Sequence, residues 1–372
     1  MESQNALKVR DITRVLEVWA PPILQESYDN SGLLVGDLDA KVTKVLVSLD
    51  CTEDVVAEAV REGAEMIVSH HPIIFSGLKR LTGRNYVERT ILMAIKSGIA
   101  LYAIHTNLDN VDSGVNRELA TALGCVPETL KILRPKDGTL HQVTVYCPHE
   151  EAEDVRNAMF KAGAGNIGDY NKVSFNIKGE GTFTPGEGAN PFVGEVGKGH
   201  VESETKIEML VESWLSKAVI DSAKKAHPYE QMAYYISPLL NKEDNIGAGM
   251  IGVLPNPVKW EEFLDSAKDV LNATHIKHTK APNELVSKIA VCGGSGSFLL
   301  CDAISKKADV FLTSDFKYHE YFDADGKILI ADVGHYESEW RTSALIANVI
   351  KQKFTKFAVR LTTVNTNPVQ IR

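Results

Sequence analysis

Three short segments carry imidazole and carboxylate side chains at spacings that suit metal chemistry. His70-His71 closes the apolar run Met66-Ile67-Val68-Ser69; His105 follows the apolar stretch 99–104, with Asp109 four residues on; His335 and Glu339, also four apart, follow the stretch 327–332. In an α/β chain ligands gather at the C-terminal ends of strands, so three such clusters at three strand ends predict one shared metal site. Inside a strand, neighbouring side chains alternate between faces. At its end the chain can turn and aim both rings of His70 and His71 into one cavity, with Pro72 holding His71 extended. The spacing of His335 and Glu339 puts both on one helical face and turns Glu337 elsewhere. A carboxylate at Asp109 could bridge two cations. Each cluster also has a plain structural reading: one histidine of the pair buried and the other solvated, Asp109 or Asp112 as a helix cap, Glu339 favoured by a helix dipole. Three or more imidazoles with two carboxylates exceed what a closed tetrahedral zinc needs. They suit an open pair of borderline ions such as Zn²⁺, Mn²⁺ or Fe²⁺, able to bring the pKa of bound water to about 7.

Other segments give weaker signals. Val291-Cys292-Gly293-Gly294-Ser295-Gly296-Ser297 is a glycine-rich turn whose N–H groups could cradle an anion, although no lysine follows to complete a P-loop; tight strand–helix packing is the other use. Asp315, Lys317 and His319 follow another strand and are secondary candidates for the same cleft. No nucleophile elbow G-x-S-x-G occurs, so covalent catalysis is not expected. His227-Pro228-Tyr229-Glu230 places polar groups before a strand, where they could shape a small-ligand pocket or an oligomer contact.

The elements that must position these groups alternate between strand and helix from the start. Residues 44–49 and 66–69 read as buried strands around a helix over 52–63 with Thr52 as its N-cap. A helix over 86–97, a strand over 99–104 and a helix over 115–123, stopped by Gly124, continue the rhythm. This is a βαβ pattern and implies a largely parallel sheet. From about residue 131 the character changes: strands over 142–146, 206–211 and 232–236, helices over 151–162 and 214–226, and a glycine-rich loop or hairpin connection over 179–199. Two β-α-β units with a loose middle predict a ferredoxin-like α+β domain at 131–244, inserted into a discontinuous α/β core of 1–130 and 245–372. The core resumes with helices over 259–271, 299–306 and 338–351 and strands over 288–292, 309–313, 327–332 and 357–362.

Bulk properties narrow the function. The chain has 372 residues, 44% of them hydrophobic and 24% charged, as in ordinary globular proteins with two or three domains. A net charge of −9 without a long basic run argues against general nucleic-acid binding. Five scattered cysteines without a C-x-x-C pair support neither a disulfide framework nor a thiolate zinc site, which fits the cytoplasm. The polar, acidic N-terminus and the lack of a run of about 18 apolar residues predict neither secretion nor membrane insertion.

Taken together, several motifs resemble the Nif-three-like proteins, also called GTP cyclohydrolase 1 type 2 homologues. They are Trp19-Ala20-Pro21-Pro22, the stretch from Tyr28-Asp29-Asn30-Ser31 through Gly36, Val68-Ser69-His70-His71-Pro72, His105-Thr106-Asn107-Leu108-Asp109, Cys292-Gly293-Gly294-Ser295-Gly296 and Gly334-His335-Tyr336-Glu337-Ser338-Glu339. The resemblance implies an α/β core with a two-metal site, a toroidal homohexamer and, in the longer class to which His227-Pro228-Tyr229-Glu230 points, a PII/CutA-like insert. It implies two divalent ions per subunit, zinc foremost and iron or manganese next, on His70, His71, Asp109, His335 and Glu339. His105 is implied near the metals, as a support to their ligands or a proton carrier. Two functions stay open: a metal-dependent hydrolase of a nucleotide-like or phosphorylated substrate, and a non-enzymatic metal-binding regulatory or scaffold protein that senses a small ligand through the insert.

Overall fold

The computed structural model describes residues 7–372, which form a mixed α/β protein. The chain divides into two compact units: one holds the chain up to Pro135 together with Asp244–Arg372, the other Lys136–Glu243. Lys131–Pro135 therefore lies in the first unit, not in the insert. It pairs antiparallel with Gly247–Lys259, which moves the expected boundary by five residues.

The first unit contains two main sheets. In the five-stranded sheet the order is Ala358–Leu361, Lys44–Ser48, Met66–Ser69, Ala100–Ala103, Gly32–Val35, parallel throughout except for the last pair. Met66–Ser69 and Ala100–Ala103 are buried at every position, as strands covered on both faces require. The intervening helix Glu53–Glu62 starts where Thr52 accepts a hydrogen bond from the Val55 N–H at 3.4 Å, and stops at Gly63 in the left-handed region at φ 66°.

The six-stranded sheet runs Lys277–His278, Leu329–Asp332, Val310–Ser314, Leu285–Ser295, Gly247–Lys259, Lys131–Pro135. Only its two inner pairings, between Leu329–Asp332, Val310–Ser314 and Leu285–Ser295, are parallel. The flanking pairs are antiparallel, so this half of the core is more mixed than the βαβ rhythm predicts. The helix expected over 338–351 is also two helices, His335–Glu339 and Thr342–Lys353. Between them the indole N–H of Trp340 donates to the Leu271 carbonyl at 3.0 Å and Arg341 bonds Glu118 at 3.0 Å, which anchors the break.

The second unit runs strand Leu140–Pro148, helix Ala152–Lys161, strands Phe175–Phe183 and His200–Glu212, helix Ser216–Ala226, strand Tyr234–Pro238. The strands form one antiparallel sheet with Leu140–Pro148 and His200–Glu212 at its centre. Val143, Val145, Ile207 and Met209 on the sheet pack with Val155, Met159, Val219 and Ala223 on the helices. The glycine-rich stretch expected as a loop from 179 is partly strand: Gly179 and Gly181 lie within Phe175–Phe183. A side chain at Gly181 would meet the Glu204 carboxylate at 2.2 Å, so glycine is what lets Glu204 lie across that strand. Among the described residues no helix is long and apolar enough to cross a membrane.

Candidate metal centre

Six C-terminal strand ends of the first unit supply the site. Asp50, His70 and His105 follow the parallel strands Lys44–Ser48, Met66–Ser69 and Ala100–Ala103; Gly293-Gly294, Asp315 and His335 belong to or follow the three inner strands of the second sheet. The rings of His70 and His71 point into the same space, their centroids 5.0 Å apart, and that of His105 lies 5.3 Å from each. His335 stands 5.2 Å from His71. All six residues expected from sequence, His70, His71, His105, Asp109, His335 and Glu339, thus come together.

Glu339 sits at the centre and is buried. One of its oxygens, Oε2, lies 2.9 Å from His71 Nε2 and 3.1 Å from His335 Nε2, whereas Oε1 faces His70 Nε2 at 3.8 Å. His70 Nε2 is also 3.7 Å from Asp109 Oδ1. Three overlapping groups could each hold a metal ion: His71, His335 and Glu339; His70, Asp109 and Glu339; and His70, His71 and His105.

Two observations favour a cation here. His70 Nε2 and Asp109 Oδ1 are buried without a hydrogen-bond partner, an arrangement native structures rarely leave uncompensated. Tetrahedral zinc, with Zn–N of ~2.0–2.1 Å, separates two nitrogen ligands by roughly 3.3 Å; the Nε2 atoms of His71 and His335 are 3.4 Å apart.

Each imidazole is held through its other nitrogen. Nδ1 of His70 bonds the Ile104 carbonyl at 2.8 Å, that of His71 Asp50 at 2.8 Å, that of His105 Asp29 at 2.7 Å and that of His335 Asp315 at 2.6 Å. Such partners fix the tautomer and leave every Nε2 directed at the cluster, as metal-binding histidines require.

The electrostatics match. Burial alone would depress His71, but the charge of Glu339 and the hydrogen bonds to Asp50 and Glu339 raise it to about 10. Burial likewise opposes charge on His335, and hydrogen bonds to Asp315 and Glu339 raise it to about 11. Burial and the neighbouring Glu339 push Asp109 up to about 7. Against the cost of burial, His71 and His335 hold Glu339 well below the usual carboxylate range. Without metal, protons neutralise a field of carboxylates that would equally attract divalent cations.

The glycine turn serves packing. A side chain at Gly294, where φ is +62°, would lie 2.3 Å from Glu339 Oε1. The N–H groups of Gly293 and Gly294 already donate to Asn116 at 3.0 Å and to the Ser338 hydroxyl at 2.9 Å, which removes them as an anion cradle.

A family model for Duf34/NIF3 (NGG1p interacting factor 3) matches residues 7–368. The chain belongs to the Duf34/NIF3 family. A Halalkalibacterium halodurans protein named GTP cyclohydrolase 1 type 2 homolog is 37% identical over 348 residues, covering 93% of this chain and 91% of that protein. The crystal structure of a Bacillus cereus protein related to NIF3 is similar with a TM-score of 0.83 at 33% identity, over 99% of this chain and 100% of that one. Staphylococcus aureus protein SA1388 gives a TM-score of 0.76 at 28% identity over the whole of both chains. The family resemblance drawn from the motifs is therefore borne out.

Some functional neighbours in this Duf34/NIF3 chain escape sequence reasoning. Asp50 follows a buried parallel strand just as His70 and His105 do, so the same signal was available for it. Asp29, inside the Tyr28–Gly36 motif, meets His105 only through the fold. Thr366, near the C-terminus, donates to Asp50 from 316 positions away. Of the secondary candidates Asp315 reaches the cluster, whereas Lys317 and His319 are exposed and His319 packs on Tyr318 and Phe322.

Proposed function

We propose that this chain binds two divalent metal ions through His70, His71, Asp109, His335 and Glu339, and acts as a metal-dependent hydrolase on a nucleotide-like or phosphorylated substrate. The observation that carries this reading is Glu339, whose two oxygens face separate ligand sets: His71 with His335 on one side, His70 with Asp109 on the other. A carboxylate shared in this way would suit a pair of adjacent ions, with Glu339, rather than Asp109 as the sequence had suggested, as the residue that would lie between them. The name GTP cyclohydrolase 1 type 2 homolog carried by a 37% identical relative supports a nucleotide-like substrate. Divalent ions, zinc foremost and iron or manganese next, supply Lewis acidity and a water nucleophile near neutral pH. His105 has its Nδ1 engaged by Asp29 and its ring against those of His70 and His71, and so is placed to carry a proton to or from the reacting groups. Asp50, Asp315 and the Ile104 carbonyl hold the ligand rings in register.

The second unit's β-α-β-β-α-β order supports reading it as an inserted ferredoxin-like module. A cytoplasmic homohexamer completes the reading, and sedimentation of the purified protein tests the assembly. The activity is tested with metal-loaded protein and a nucleotide panel that includes GTP. Product should form, and should vanish in His70→Ala and Asp109→Ala variants whose circular dichroism is unchanged. Two ions per chain without turnover across the panel would reject the hydrolase and leave a metal-binding regulatory protein.

A further inference from the structure

We infer that the cavity opening on the metal cluster takes a planar aromatic ring system bearing at most one anionic group in preference to one that carries a polyphosphate chain. This deepens the proposed function and rests on its placement of the metals. The cavity measures about 750 Å³, a size suited to a small organic ligand. Four large aromatic side chains line it while exposing more than half their surface: Tyr28 at 62%, Phe75 at 51%, Tyr86 at 61% and Phe298 at 54%. Aromatic residues are usually well buried, so four open to one cavity form a surface that a ligand would cover. The Tyr28 and Phe75 rings are 6.2 Å apart, Phe75 is 6.2 Å from His105, and His105 is 5.3 Å from His70 and His71. An unbroken run of ring faces and edges therefore leads from the outer wall to the metal ligands, and it matches a flat π system.

Charge decides the rest. Glu26, Asp50, Asp109 and Glu339 line the cavity, and among the described residues no lysine or arginine does. The guanidinium of Arg134 lies 5.4 Å over the Phe298 ring and is paired with Asp302; it is not part of the wall. Phosphate chains are ordinarily met by arginine, lysine or a nest of free N–H groups in addition to bridging metal ions. Here the Gly293 and Gly294 N–H groups are already engaged. Two divalent ions would only balance the four carboxylates that line the cavity, so a phosphate chain adds negative charge that no cationic side chain of the lining offsets, more with each phosphate. The class that fits is a nucleobase-like heterocycle, free, as a nucleoside or as a monophosphate.

Isothermal titration of the metal-loaded full-length protein with guanosine, its 5′-monophosphate, its 5′-triphosphate and ribose 5-phosphate tests this. Guanosine and the monophosphate should bind, the triphosphate should bind roughly tenfold or more weakly than the monophosphate, and ribose 5-phosphate should not bind. Phe75→Ala should weaken guanosine by roughly tenfold, the scale of one base–aromatic stack, while metal content stays constant; Phe75→Trp should restore binding. The inference is overturned if the triphosphate binds tightest, if ribose 5-phosphate matches the monophosphate, if none of the four binds, or if Phe75→Ala leaves guanosine unaffected. Because the readout is equilibrium binding, its failure is separable from that of the hydrolase: guanosine bound without turnover rejects only the hydrolase, and turnover without ring preference rejects only this inference. A chain that takes up no metal rejects the metal reading, and the guanosine comparison between wild type and Phe75→Ala still decides whether the aromatic wall recognises a ring.

Discussion

Glu339 governs the chemistry of its neighbours because it is a buried carboxylate touched by imidazoles on both oxygens. Without a cation, the protons on His71 and His335 balance it, with His71 raised to about 10 and His335 to about 11. Both rings are therefore protonated at pH 7, whereas a metal takes the neutral imidazole. Metal uptake at pH 7 should release protons, and affinity should fall as pH falls, since below these values the proton competes more strongly. A weakly buffered titration with a pH indicator checks this, and uptake without acidification would contradict it. The carboxylates behind the rings matter in the same way. Asp315→Ala removes the 2.6 Å bond to His335 Nδ1 and should weaken metal binding by roughly 10–100-fold. Competition against a chelator measures that loss, and an unchanged affinity would show that Asp315 does not support the metal site through His335. Sequence could pick out all six clustered residues because His70, His71, His105 and His335 follow strand ends, and Asp109 and Glu339 lie four residues beyond His105 and His335. It could not reveal Asp29 or Thr366, whose partners His105 and Asp50 are 76 and 316 positions away.

Strand ends, and the glycines that crowd them, set the precision of the site. Gly294 lies at the end of Leu285–Ser295 in a left-handed conformation, with Glu339 Oε1 where its side chain would be. Gly294→Ala should cost about 1–2 kcal/mol for the backbone alone and should displace Glu339. Lower metal content together with a lower unfolding midpoint is the expected result; full occupancy would separate the glycine from the site. The inner parallel strands were legible because Met66–Ser69, Ala100–Ala103 and Leu329–Asp332 are short buried runs bounded by helices. Gly247–Lys259 was not, because its glycines at 247, 249 and 252 and prolines at 255 and 257 read locally as breakers. Its pairing partners on both sides override that signal. The same holds for Gly179 and Gly181, which pairing with His200–Glu212 draws into a strand.

At the scale of the whole molecule, each unit buries its own apolar cluster: Leu46, Ile67 and Leu101, or Ile289, Val291 and Leu312, in one, and Val143, Ile207 and Met209 in the other. Pro135 and Gly247 face each other in antiparallel register, so the two ends of the first unit meet where the second departs. Replacing Lys136–Glu243 by a short flexible linker should therefore leave a folded core with its metal content intact, measured by circular dichroism and elemental analysis; an unfolded or metal-free core would make the second unit part of the site's support. Everything proposed about function depends on five side chains from both main sheets holding a pair of ions. The most direct measurement is anomalous diffraction from a crystal of the protein soaked in zinc or manganese. The account predicts two adjacent peaks on either side of the Glu339 carboxylate, one contacted by His71 and His335 and the other by His70 and Asp109. A single peak, peaks elsewhere or none at all would contradict it.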